Sequence, residues 1–149
     1  MLQNKPSSLL LALLLLTATF SSAQNAAIDS LKRVVSAAKI DTAKANACNA
    51  LADAFKEINP DSTNRYAQKA YLLSQQAQYD FGMADALMNQ GNANIILSNY
   101  PKALANFKKA QSYYQSQLDK DSGIDNKTIK NGLARAYASC AVVYSEENN

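Results

Sequence analysis

The chain has 149 residues, enough for one hydrophobic core and one domain. Its 15 Lys and Arg against 12 Asp and Glu leave a formal charge of +3, scattered along the chain, which is too small to signal a nucleic-acid partner. With no histidine it lacks the usual acid–base group and metal ligand near neutral pH, and four glycines and three prolines disfavour an all-β fold.

At the N-terminus Lys5 precedes an apolar run, Leu9 to Leu16, which continues through Thr17-Ala18-Thr19-Phe20 to Ser21-Ser22-Ala23. A charged start, a short apolar stretch and a small-x-small site form the pattern of a secretory signal. The run is about half of the roughly 20 residues that cross a bilayer, which reads against a retained anchor. No cysteine follows Ala23, which reads against a lipoprotein. Residues 1–23 are therefore expected to be a signal peptide cut between Ala23 and Gln24. Residues 24–149 form the domain, exported to the periplasm or secreted.

Helical spacing recurs along that domain. Ile28, Leu31, Val34, Val35 and Ala38 mark one face of a first helix. Asp41 is the expected N-cap of a second, which carries Ala47, Ala50, Leu51, Ala54 and Phe55 and ends at Asn59-Pro60. Asp61 or Ser62 caps a third, with Tyr66, Ala67, Ala70, Leu73 and Ala77 turned inward. A joint at Tyr79-Asp80-Phe81-Gly82 leads to a helix in which Leu87, Gly91 and Asn94 share a face. After a turn at Ser98-Asn99, Pro101 occupies the first turn of the next helix, where its missing N–H leaves nothing unsatisfied. Ala103, Phe107 and Ala110 line that helix, which continues to about Leu118. Asp119 to Asn126 is polar and contains a glycine, a loop signal. A last helix from Lys127 to Glu146 places Leu133, Ala134, Tyr137, Ala141 and Tyr144 on one stripe. The expected fold is all-α, with helices alternating up and down and no competing strand.

The hairpins repeat. Alignment sets Leu51 opposite Gly91 and Ala141, and Thr63, Ala67 and Ala70 opposite Ala103, Phe107 and Ala110; the first offset is 40 residues. Gly91, Tyr100, Ala103, Phe107 and Ala110 match the small and aromatic positions of the tetratricopeptide repeat, and the chain resembles that TPR family. It departs from the pattern where Leu87 replaces a tryptophan, Gln90 a leucine and Asn94 a tyrosine. No proline closes the unit near Gln115, and the spacing exceeds the usual 34 or so residues. The resemblance implies a right-handed solenoid of antiparallel helix hairpins. It would comprise about two and a half repeats, at 43–78, 83–118 and a partial 127–149, behind a leading helix.

Candidate chemistry is sparse. Cys48 and Cys140 read as small buried fillers; two repeats apart in a stack, they lie beyond the roughly 7 Å that a disulfide requires. Asp119–Lys130 has its glycine one place early and Lys130 where a calcium loop needs a bidentate glutamate, so no metal is expected there. Asn126-Lys127-Thr128 has the form of a glycosylation sequon. The helical spacing of Tyr66, Tyr71, Tyr113, Tyr114, Tyr137 and Tyr144 with alanines reads most of them as packing residues rather than a recognition surface. Neither a nucleophile elbow nor a phosphate-binding glycine loop is present, so catalysis and cofactors are not expected. An enzyme with an unrecognised site is a remote alternative.

Family members often bind extended peptides on the concave side, and Asp85, Asn89 and Asn92, with Arg135 and Ser139, would line it here. Cys48 and Ala52 stand where a chaperone-type carboxylate clamp would need lysine and asparagine. The expectation is an exported scaffold that binds a protein or peptide. The order of leader, DSLKRVVSAAKIDTAKANACNALADAF, Asn-Pro break and hairpins also resembles the extracytoplasmic input region of bacterial sensor kinases and regulators. On that reading the chain is a truncated sensory fragment, tied to a membrane only through a missing C-terminal anchor.

Overall fold

A computed structural model describes residues 24–120 and 123–147, so the expected signal peptide lies outside the described residues. Among these residues the chain is all-helical. The helices are α1 (24–37), α2 (Asp41–Phe55), α3 (Pro60–Gln76), α4 (Asp80–Ile96), α5 (Tyr100–Leu118) and α6 (Asn126–Glu147).

Three of these helices start on side-chain caps. Asn59 accepts the Ser62 N–H at 2.9 Å with Pro60 as the first helical residue of α3, and Asn99 accepts the Lys102 N–H at 3.4 Å ahead of Pro101. Asp125 accepts both the Thr128 N–H, at 2.9 Å, and its hydroxyl, at 2.6 Å. Asp61 and Ser62 are therefore not the cap of α3; the Asn59 side chain, two residues before Asp61, takes the free Ser62 N–H. Asp41 is not a cap either. It is the first residue of α2, after an uncapped Ile40, where its carboxylate still faces the positive end of the helix. α2 ends at Phe55, before Asn59-Pro60, so that pair opens a helix instead of closing one.

The turns on either side of α4 share one geometry. Gln78 and Ser98 adopt φ of 52° and 55°, and the next N–H groups, of Tyr79 and Asn99, reach back to Ser74 O and Asn94 O at 2.8 Å. These are Schellman endings, which satisfy the last carbonyls of α3 and α4. The expected joint at Tyr79–Gly82 is thus a few residues late, since α3 ends at Gln76, α4 begins at Asp80 and Gly82 lies buried inside it.

From α2 to α6 each helix packs on the next. α2 also touches α4 and α4 touches α6, whereas α2 and α6 do not meet. Alternate helices therefore adjoin along one side. Close approach depends on glycine meeting an aromatic ring. A Cβ on Gly91 would stand 2.6 Å from Cζ of Phe107 and nearer still to its Cε1; one on Gly132 would stand 2.6 Å from Cε1 of Tyr114. Phe107 and Tyr114 are fully buried in a core shared by α4, α5 and α6 with Leu87, Ala103, Ala110, Ile129, Ala136 and Val143. Cys48, Ala70 and Ala86 join α2, α3 and α4, with Val35 of α1 against them.

The stripe expected on α6 is displaced. Ile129, Gly132, Ala136, Cys140 and Val143 are buried there, Leu133 is half-buried, and Ala134, Tyr137, Ala141 and Tyr144 are exposed. Both sets have helical spacing, and the face with Gly132 wins because only it admits the Tyr114 ring. Tyr137, at 59% exposure, is consequently not a packing residue, and Tyr144 lies on the surface beneath the Lys108 ammonium. Of the other tyrosines, Tyr66 stacks on Phe55, while Tyr71 and Tyr113 are half-buried.

Candidate functional site

The side on which α2, α4 and α6 adjoin carries a cavity of about 360 Å³. Asn46, Asn49, Ala50 and Asp53 of α2 form one wall. Phe81, Asp85 and Asn89 of α4 form the floor, with Tyr79 from the turn before it, and Arg135 of α6 closes the far side.

Asp85 and Asn89 are one helical turn apart, which places both side chains on the same face. The Asn89 Nδ2 group donates to Asn49 O at 3.1 Å, and Asn49 Nδ2 donates to Gly82 O at 3.0 Å. Two amides thus join α2 to α4, and they stand 40 residues apart, the offset of the first two hairpins. Each amide uses one of its two N–H groups in this way. Asn49 Oδ1 is buried without a hydrogen-bond partner.

Asp85 accepts the Tyr114 hydroxyl at 2.5 Å, and Arg135 approaches it at 4.0 Å. Burial pushes the Asp85 carboxyl up from its ordinary range, against the Tyr114 hydrogen bond and Arg135, which favour the charge; nearby Asp53 adds to the rise. Tyr114 is itself held protonated by burial and by the Asp85 charge. Burial also raises the Tyr79 hydroxyl, partly offset by a hydrogen bond from Asn46.

Of the expected site residues the fold brings together Asp85, Asn89 and Arg135. Asn92 lies elsewhere, in a smaller hollow of about 240 Å³ with Lys56, Glu57, Ile95 and Ile96, and half-buried Ser139 lines neither space. Sequence reasoning missed Asn46, Asn49, Asp53, Tyr79 and Phe81. The offset that aligns Leu51 with Gly91 also aligns Asn49 with Asn89 and could have found the first of the amide pair. The others required knowing which turn of α2 meets α4. Amides, carboxylates, a phenol and a guanidinium are groups that recognise by hydrogen bonds and charge. Among the described residues no set of three or more Cys, Asp or Glu side chains could hold a metal ion.

No protein-family model matches the chain, and no curated protein or solved structure is significantly similar to it.

Proposed function

We propose that the chain is an exported TPR-type scaffold that binds a protein or peptide on the face formed by α2, α4 and α6, without catalysis of its own. The cavity on that face carries the reading: a polar-walled space of about 360 Å³, in the range of natural ligand sites. Its walls come from α2, α4 and α6, the first helices of two hairpins and of a partial third, so it can grip an extended segment at several points. A tetratricopeptide-like arrangement is supported by the Gly91–Phe107 contact at the family's small and aromatic positions and by the 40-residue repeat of the Asn49–Asn89 pair. Export follows from the leader read in residues 1–23. No helix among the described residues is long and apolar enough to cross a membrane.

Panning a random peptide library against the full chain tests the reading. Ala50 is exposed at the cavity wall, so Ala50→Trp fills the space without entering the core. Enriched peptides should bind the parent and lose at least about tenfold in affinity for Ala50→Trp, a difference of about 1.4 kcal/mol. Peptides indifferent to that change, or no enrichment, would remove the concave face as the binding site.

A further inference from the structure

The cut expected between Ala23 and Gln24 would make Gln24 the first residue of the mature chain. Glutamine at a chain terminus has a chemistry that it lacks inside a chain. Its two methylenes bring the side-chain amide carbon within reach of its own α-amine, and closure gives a five-membered ring. Asn25, one methylene shorter, would need a four-membered ring and could not take its place. An α-amine has a pKa of about 7.7–8.0, so part of it is uncharged and nucleophilic near neutral pH. Both reacting groups belong to one residue, and that proximity replaces a second reactant.

The fold leaves this residue open to reaction and tolerates the product. Gln24 is exposed, as are Asn25, Ala26 and Ala27; Ile28, 5% exposed, is the first side chain of α1 that the core takes in. With the leader removed, the new α-ammonium would stand on the first turn of α1, where the helix already carries partial positive charge. Ring closure removes that charge. The first N–H groups of a helix have no partner within it, so the proton lost from the nitrogen breaks no helix hydrogen bond. A five-membered ring fits at such a place, as the rings of Pro60 and Pro101 do at the starts of α3 and α5.

We propose that Gln24 is a modification site, closed to pyroglutamate in the exported chain. The inference rests on the export reading above and goes beyond it. In this step the uncharged α-nitrogen attacks Cδ of the Gln24 side chain. The lactam C–N bond forms and the bond from Cδ to Nε2 breaks. The side-chain nitrogen leaves as ammonia, carrying the proton given up by the attacking nitrogen. Nothing is oxidised or reduced, and no co-reactant enters. The product is a terminus with neither charge nor primary amine, closed to an aminopeptidase that grips a free α-amine.

The full chain, expressed with its leader in a bacterial host and collected from the periplasm, provides the test. Mass spectrometry of the intact protein and of its N-terminal peptide is run at isolation and after warm incubation at neutral pH. The chain should begin at residue 24 and be lighter by one ammonia, with the loss mapped to that residue and its α-amine no longer labelled by an amine reagent. Gln24→Ala should be cut at the same place, keep its full mass and label its amine, which separates ring closure at the terminus from ammonia loss at an internal asparagine. A chain that begins at Gln24 but keeps both its ammonia and its amine through incubation would overturn the inference and leave the export reading standing. Ammonia loss that persists in Gln24→Ala would do the same. A chain that begins elsewhere, or that retains residues 1–23, would overturn the expected cut and this inference together.

Discussion

Asp85 sets two demands against each other. Burial raises its carboxyl above the ordinary range, so the folded chain holds that proton more tightly than the unfolded chain does. The stability this supplies is present in acid, below the ordinary carboxyl value, and is lost as pH rises through the raised one. Asp85→Asn should therefore raise the urea midpoint at pH 7, with the gain over the parent vanishing near pH 3. A variant less stable than the parent at neutral pH would show that Tyr114 and Arg135 outweigh burial. Gly91 is constrained by volume instead. Alanine would gain about 1 kcal/mol of helix propensity, but its methyl would overlap the buried Phe107 ring. Overpacking of about 1–3 kcal/mol should win, giving a lower urea midpoint for Gly91→Ala. Gly91→Ala combined with Phe107→Leu should lose less than the sum of the two single changes, because leucine leaves room for the methyl.

At the scale of the helices, caps and turns carry the testable content. Asn59→Ala removes the acceptor for Ser62 N–H and should lower stability by about 1 kcal/mol, read by urea denaturation. Asp61→Ala and Ser62→Ala should change it less, since neither side chain caps α3. Gln78 and Ser98 hold left-handed backbone that favours glycine. Gln78→Gly and Ser98→Gly should each leave the unfolding midpoint unchanged or raise it, by up to about 1 kcal/mol in stability; a clear fall would mean that their side chains contribute more than the backbone strain. The α6 register shows how far periodicity reaches. Two faces of that helix carry apolar residues at helical spacing, and the pattern alone favoured the one with the larger side chains. The fold buries the other because a Tyr114 ring already fully enclosed needs a residue without a Cβ opposite it, which Gly132 provides.

For the whole molecule, the order of contacts predicts the order of opening. α6 packs chiefly on α5, with slight contact to α4, whereas α4 is packed against α2, α3, α5 and α6. Local opening free energy should fall toward the end with fewer neighbours. Amide hydrogens of α6 should exchange before those of α4. Cys140, on α6, should react with a thiol reagent before Cys48, which is fully buried between α2, α3 and α4. Both thiols are free in the folded chain, and burial pushes both upward from the ordinary thiol range, which slows their reaction further. Two thiols titrated after unfolding without reductant would agree with this arrangement; none would require an internal disulfide that the fold does not contain.

The sequence by itself determined the all-helical class, the turn at Ser98-Asn99, the close pairing of Gly91 with Phe107 and the placement of Asp85 and Asn89 on one face. Each depends on residues near one another in the chain, or on a small residue facing a large one at helical spacing. Tertiary structure alone decided which stripe of α6 is buried, and that Asn46, Asn49 and Asp53 of α2 share a cavity with Asp85 while Asn92 and Ser139 do not. Those outcomes depend on how far each helix is rotated against its neighbours. That rotation is fixed by ring-to-glycine contacts between helices, so periodicity within one helix cannot supply it.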